Sequence, residues 1–250
     1  MAVAKAARAH TILITGASDG VGLLLAKAYA NRGHRVLATG RRQIADDNEI
    51  FQSSKVVYVS ADLSAPDYAT ERILSAMNDL GWEELDLAIL NGATAWVGAP
   101  EEETTLSIKN QIDVNFRAQV HLARELAPFL FEANGQLVFI GSTSFNKAKG
   151  KFATYVATKA GLDGLCRSLS EEWRGKADVL MIHPGPMRTS MHAKAGLKTG
   201  VVRLFFMSPK RAARAIQMAI RRRKGRQLRR KLSRWYAFRS WFSRAKEGRL

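Results

Sequence analysis

Near the start of this 250-residue chain, a short β-branched apolar run, Thr11-Ile12-Leu13-Ile14-Thr15, leads straight into a glycine-rich turn, Gly16-Ala17-Ser18-Asp19-Gly20-Val21-Gly22. The helix-forming run Leu23-Leu24-Leu25-Ala26-Lys27-Ala28-Tyr29-Ala30 follows, ended by Asn31-Arg32-Gly33. The order is strand, glycine turn, helix. Glycines let the backbone come close to a pyrophosphate, and free N–H groups at the helix N-terminus receive its negative charge. The spacing Gly-x-x-x-Gly-x-Gly also fits an ordinary βα turn, so the rest of the chain has to decide.

Downstream, β and α signals alternate, with strands expected at residues 11–15, 35–39, 55–60, 85–90, 136–141 and 178–183 and helical patterns between them. Alternation of this kind specifies an α/β fold, a doubly wound, mostly parallel sheet of Rossmann type covered by helices on both faces. Ligands of such sheets bind outside the carboxyl ends of the strands, where the strand order reverses. Gly16, Gly40 with Arg41, Asp62, Asn91, Ser142 and Pro184 fall at those ends in turn. An apolar content of 46% over 250 residues suits one core. The division expected is a nucleotide-binding domain over residues 1–220 and a basic helical extension over 221–250.

The sole cysteine, Cys166, excludes an internal disulfide framework and reads as a buried structural thiol. Residues 1–10 lack an apolar core of signal-peptide length, and no stretch reaches the roughly 18 unbroken apolar residues of a spanning helix. A cytoplasmic location is expected. His121 and His183 have no partners at metal-ligand spacing, so no metal site is expected and core or surface roles are assigned to both.

Tyr155 and Lys159 are four residues apart in Tyr155-Val156-Ala157-Thr158-Lys159. A tyrosine is too weak an acid to work at neutral pH unless a fixed cation lowers its pKa, and a lysine one helical turn away on the same face can do that. The pair reads as a tuned proton donor and acceptor. Ser142, thirteen residues upstream at a strand end, is placed to hydrogen-bond the same reacting oxygen, with Ser144 as the alternative. Spacing alone is weak evidence here, because a solvated tyrosine and lysine share a helix face in many proteins.

With these residues assembled, roughly residues 10–220 resemble the short-chain dehydrogenase/reductase family. Gly16, Ser18, Asp19, Gly20, Val21 and Gly22 look like its cofactor turn, Asp62-Leu63 like its adenine contact, and Asn91-Gly92-Ala93 like its mid-sheet element. Asn115, Ser142, Tyr155 and Lys159 match its catalytic tetrad in order and spacing, and Pro184-Gly185-Pro186-Met187-Arg188-Thr189 matches its nicotinamide-side loop, with Pro184, Gly185 and Thr189 as contacts. The resemblance implies that Lys159 also bonds the nicotinamide ribose and that Asn115 anchors a water relaying protons to Lys159. Two departures stand out. Gly92 and Thr94 replace the second Asn and the Gly of the mid-sheet element, and the glycine-rich segment expected after a last strand is missing.

The end of the second strand, Val36-Leu37-Ala38-Thr39-Gly40-Arg41-Arg42, carries no carboxylate to bond a ribose 2′-hydroxyl, and Arg41 suits a 2′-phosphate. NADP(H) is therefore favoured over NAD(H), although Asp46 or Asp47 could fold back to serve NAD, with Arg41 and Arg42 then plain surface residues. The segment 190–208 carries Met191, Leu197, Val201, Val202, Leu204, Phe205, Phe206 and Met207, an apolar lid for a hydrophobic carbonyl or alcohol, with Trp96 a candidate for the same pocket. A homodimer or homotetramer is expected.

Charge is concentrated at the end of the chain. Residues 221–250 hold thirteen Lys and Arg against Glu247 alone, a contribution of +12 to the formal +17. On a helical wheel Leu228, Leu232, Trp235, Phe242 and Ala245 share one side and Arg230, Arg234 and Arg244 the other, with Arg239 interrupting the stripe. That pattern suits a helix lying on an anionic membrane, at its inner face, or packing on the body or a second subunit. Nucleic acid is the less favoured partner. The function expected is reversible, hydride-based conversion of a carbonyl and an alcohol; the competing reading is a cofactor-binding scaffold whose tail binds nucleic acid or a partner.

Overall fold

The computed structural model describes residues 8–43, 49–143, 150–185, 187 and 207–223. Thr189, Ser144, Asp46, Asp47, the whole apolar segment before Met207, and the stripe from Leu228 to Ala245 lie outside them.

Six strands form one parallel sheet: β1 (Thr11–Ile14), β2 (Arg35–Gly40), β3 (Val56–Ser60), β4 (Leu87–Leu90), β5 (Gln136–Ile140) and β6 (Asp178–Ile182). Their spatial order is β3-β2-β1-β4-β5-β6. The chain moves outward from β1 to β3, then returns to β1's other side and moves outward again. The reversal lies between β1 and β4, whose pairing sets Ile12 beside Leu87 and Ile14 beside Ile89. All six expected strands are present, each within two residues of its expected start.

The helices are α1 (Gly20–Ala30), α2 (Pro66–Asp79), α3 (Thr105–Ile112), α4 (Ala118–Glu132), α5 (Ala153–Glu172) and α6 (Pro209–Arg221). Alternation along the strands explains why both sheet faces need cover. Ile12, Ile14, Val36, Ala38, Ile89 and Val138 point to one side, where α1 and α6 bury Leu25, Tyr29, Ile216 and Ile220 against them. Leu13, Leu37, Leu90, Leu137 and Phe139 point to the other, against Ile73, Met77, Leu122, Leu126 and Leu162 of α2, α4 and α5. Strands buried on both faces become near-continuous apolar runs. Each fully buried Leu or Ile in these two layers stabilises the fold by about 1.5–3 kcal/mol.

Cys166 is buried in the second layer, as expected. Among the described residues β6 closes the sheet at one edge. None of their helices is long and apolar enough to cross a membrane, and no cluster of metal-ligating side chains occurs.

Candidate active site

The glycine turn is fixed by contacts that leave no room for side chains. Gly16 has φ +63, and a Cβ there would stand 2.7 Å from the Gly92 Cα. A Cβ on Gly22 would stand 2.3 Å from the Gly16 carbonyl oxygen and 2.8 Å from the Asn91 amide nitrogen. Both neighbours are held in place. Asn91 donates from Nδ2 to the carbonyls of Thr15 and Gly16, each at 3.1 Å. Thr15 Oγ1 accepts from the backbone N–H of Asn91 at 3.0 Å and of Gly92 at 3.1 Å. Asn91 is therefore a clamp that ties the turn after β1 to the end of β4. Gly92, one of the two departures from the mid-sheet pattern, leaves space for Leu63, whose Cδ1 would lie 2.5 Å from a Cβ. Helix α1 begins at Gly20 rather than at Leu23, so its first free N–H groups belong to the turn itself.

At the end of β2, Arg41 is exposed and borders the cleft. Arg42 is engaged elsewhere. Its Nη2 donates to the Ser18 carbonyl at 3.1 Å and pairs with Asp19 Oδ2 at 3.1 Å, while its own carbonyl accepts from the Tyr58 hydroxyl at 2.8 Å. Asp62 is exposed beside them and its Oδ1 accepts from the Ser64 N–H at 3.0 Å. The Arg42 clamp is invisible to motif reading, because nothing in adjacent sequence marks Ser18, Asp19 and Tyr58 as its partners.

The opposite wall is a face of α5. Tyr155 is 8% exposed and Lys159 2%. The Lys159 ammonium donates to the Ile140 carbonyl at 3.0 Å and stands 6.0 Å from the centre of the Tyr155 ring. Burial alone pushes the Lys159 pKa down to about 8. Asn115, which alone would read as an ordinary helix-interior amide, sits fully buried in a π-helical turn, Asp113–Arg117, between α3 and α4. Extra residues in such a turn re-aim a side chain. Asn115 accepts from the Thr94 N–H at 2.8 Å, donates to the Thr94 carbonyl at 2.8 Å, and reaches Thr158 Oγ1 at 3.3 Å. Thr158 in turn donates to the Tyr155 carbonyl at 2.8 Å, so Asn115 joins the mid-sheet segment to α5 from behind the cleft.

A further support was not foreseen. Glu103 accepts from Gln111 Nε2, from Ser107 Oγ at 2.9 Å and from Thr154 Oγ1 at 2.7 Å, while Gln111 Oε1 accepts from the Trp96 N–H at 3.2 Å. One carboxylate thus holds the residue before Tyr155 against α3. Trp96 itself borders a separate hollow beside α3, with Thr104 and Leu106. His121 pairs with Asp67 at 2.9 Å, and His183 is buried between two oxygen atoms.

A cleft of about 690 Å³ separates the two walls. It is bordered by Gly16, Ser18, Asp19, Gly20 and Val21, by Arg41, Asp62 and Leu63, by Asn91, Gly92 and Ala93, and by Gly141, Tyr155, Lys159 and Met187. Gly22 supports that wall from behind. Ser142, Pro184 and Gly185 are not among the residues bordering the cleft: Ser142 follows Gly141 in the chain, and Pro184 is tied to the same loop by the Thr143 N–H, which donates to its carbonyl at 3.3 Å, with Gly185 next in the chain. The volume suits a large ligand, the side-chain-free turn suits close approach of phosphate to backbone, and the exposed Arg41 adds positive charge at the far end. These residues fit a dinucleotide.

A short chain dehydrogenase family model matches residues 10–199. The fatty acyl-CoA reductase of Acinetobacter baylyi is 30% identical over 222 residues, which cover 84% of this chain and 72% of that one. The 11-beta-hydroxysteroid dehydrogenase A of Sesamum indicum is 29% identical over 180 residues, 70% of this chain and 51% of that one, so the chain spans about half the length of this curated relative. A Sphingobium yanoikuyae short-chain dehydrogenase in complex with NADPH is 26% identical, with a TM-score of 0.76 over 96% of this chain and 94% of that chain. Fold, switch-point cleft and sequence agree, and the chain belongs to the short-chain dehydrogenase family of oxidoreductases.

Proposed function

We propose that this protein interconverts a carbonyl and an alcohol on an apolar small molecule, using NADP(H), with Tyr155 as general acid and base. The observation that carries the reading is the burial of Tyr155 and Lys159 on one face of α5, across a single cleft from the glycine turn and Arg41. The bound dinucleotide would supply or accept hydride. Gly16, Ser18, Gly20, Val21, Asp62, Leu63, Asn91, Gly92 and Ala93 would hold its nucleotide parts, and Pro184, Gly185 and Thr189 its nicotinamide side. Arg41 would take the 2′-phosphate by a charge-assisted contact. The NADPH complex of the Sphingobium relative supports this choice over NAD(H).

As the substrate oxygen gains negative charge, Tyr155 gives it a proton and Ser142 donates a hydrogen bond to it. In oxidation Tyr155 takes the proton back. The neighbouring Lys159 cation favours the ionised phenol, and Asn115 anchors a water on the proton route to Lys159. An apolar substrate is supported by the names of the fatty acyl-CoA and 11-beta-hydroxysteroid relatives. A panel from acetophenone and cyclohexanone to decanal, followed by NADPH absorbance, tests the reading. No turnover with any of them, in either direction, would count against it.

Residues 221–250 serve as a separate basic extension, which brings a cytoplasmic enzyme to anionic lipid at the inner face of a membrane. Its thirteen basic residues support this, each adding about 1 kcal/mol near an anionic surface. The full chain is expected to co-sediment with phosphatidylserine vesicles, and a chain ending at Gly225 to stay in solution with NADPH binding intact. Loss of the fold in the shortened chain would make the extension part of the core or of a homodimer or homotetramer contact.

A further inference from the structure

His183, at the end of β6, is 4% exposed and has no part in the proton chemistry above. Its Nδ1 lies 3.0 Å from the Ser142 carbonyl oxygen and its Nε2 3.1 Å from Asp163 Oδ1. A carbonyl oxygen only accepts, so Nδ1 carries a proton; a lone pair on Nε2 would face carboxylate oxygen, so a second proton lies between those two groups. Asp163 is itself anchored, its Oδ2 accepting from Arg167 Nε at 3.2 Å.

The three residues are distant in sequence, yet the fold leaves their geometry little freedom. Asp163 stands four residues beyond Lys159 and eight beyond Tyr155, on the same stripe of α5. Gly141 has no room for a Cβ, which would lie 2.6 Å from His183 Nδ1. Backbone bonds close the loop on either side, from the Gly141 N–H to the Ile182 carbonyl at 2.8 Å and from the Thr143 N–H to the Pro184 carbonyl at 3.3 Å. The helix that carries the acid and the loop that carries the serine are thereby joined through one imidazole.

We propose that His183 and Asp163 are positioning residues: a strut from α5 to the Ser142 backbone that sets where the serine hydroxyl stands relative to Tyr155. The proposal rests on the roles given above to Ser142 and Tyr155. A histidine that merely fills the core would lower stability without singling out the serine.

The test is a double-mutant cycle on the full chain, with NADPH and the best carbonyl of the panel above. His183→Ala is expected to lower kcat about 10-fold, the scale of a misplaced catalytic contact, and to leave NADPH affinity within twofold. In a Ser142→Ala background it should cost nothing further, because the strut acts through that serine. Asp163→Asn keeps an acceptor for Nε2–H and should retain most of the turnover, whereas Asp163→Ala should match His183→Ala. Additive losses in the double variant, or equal loss of kcat and NADPH affinity, overturn the proposal. Where His183→Ala does not fold, Asp163→Ala takes its place in the same cycle, with the same outcomes.

A second arm needs no substrate. Side-chain ¹⁵N spectra of the full chain, with His183 assigned by its absence in His183→Gln, should show protons on both ring nitrogens, and Asp163→Ala should remove the one on Nε2. A bare Nδ1 would sink the strut whatever the activity. A panel without turnover, beside the expected spectrum, would instead sink the assigned reaction and leave the strut standing.

Discussion

The two walls of the cleft are specified in different ways. The nucleotide wall is made of backbone: a methyl group on Gly16 or Gly22 would meet main-chain or clamped atoms and one on Gly92 would meet Leu63, while Asn91 donates to the turn's carbonyls and Thr15 accepts from the peptides after β4. The α5 wall is made of side chains, held by contacts that reach α5 from other elements. Lys159 donates to the Ile140 carbonyl, Asn115 donates to Thr158 beside Lys159, and Thr154 beside Tyr155 donates to Glu103. A backbone wall fails when atoms are added, and a side-chain wall when they are removed. Substitutions in the two walls should therefore separate binding from turnover.

The largest separation is expected at Tyr155. Tyr155→Phe deletes one ionisable hydroxyl and leaves the ring that borders the cleft in place, so turnover should fall by about 10² or more while NADPH binding stays near its original value. Stopped-flow turnover and fluorescence titration on the same preparation check this. Unchanged turnover would remove Tyr155 from the chemistry and leave the α5 wall a structural feature.

Gly16→Ala is the reciprocal experiment. An alanine at φ +63 costs roughly 1 kcal/mol, and relief of the 2.7 Å approach to the Gly92 backbone adds about 1–3 kcal/mol. NADPH affinity should drop about tenfold or more as the turn shifts away from Asn91, with the residual turnover recovered at high NADPH concentration. A loss of kcat without loss of affinity would show that the walls are not independent.

This contrast also explains what could be read from the residues in order. A turn that needs positive φ and missing Cβ atoms must use glycine, so Gly16, Gly20 and Gly22 mark it directly; strands buried on both faces must be apolar, which marks most of the sheet, while half-exposed β3 at the edge shows through its β-branched run Val56-Val57-Tyr58-Val59. Tyr155 and Lys159 were recognisable for a related reason: one helix places them one turn apart. The supports of the α5 wall left no such mark. Glu103 and Thr154, or Asn115 and Thr94, meet only after α3, the π-helical turn and α5 have packed together, and no local spacing encodes that meeting. His183 read as a bland core or surface residue until the fold set it against Asp163. The basic extension and the apolar segment before Met207 carry strong composition signals, but composition does not specify which surface they meet.

The walls should also respond differently to pH. Lys159 in the α5 wall has its pKa pushed down by burial from 10.5 to about 8. Below pH 8 both folded and unfolded chains hold the Lys159 proton, and the cost of burying that charge is fully present. Between about pH 8 and 10.5 the unfolded chain binds more protons, so stability from this group should rise with pH, by about 3 kcal/mol at most. The proposed catalysis should run the other way, because a neutral Lys159 would no longer favour the ionised phenol. Activity should decline above about pH 8 while urea midpoints climb, and Lys159→Met should abolish the climb. Parallel decline of both in the unmodified protein would mean that burial does not control this lysine.

The smallest expected effects lie at the exposed end of the nucleotide wall, where two adjacent arginines divide the work. Arg41 borders the cleft, so Arg41→Asp should weaken NADPH much more than NADH, because a charge-assisted contact becomes a repulsion. Arg42 is paired with Asp19 at 3.1 Å, and both side chains are about half exposed, so the pair adds only about 0.2–1 kcal/mol. Arg42→Ala should therefore lower affinity for NADPH and NADH alike, by no more than about fivefold, through slackening of the turn at Ser18. Isothermal titration of both variants with both cofactors distinguishes the two roles. If Arg42→Ala rather than Arg41→Asp discriminates between NADPH and NADH, then the Asp19 pair opens on binding and Arg42 is the residue that meets the phosphate.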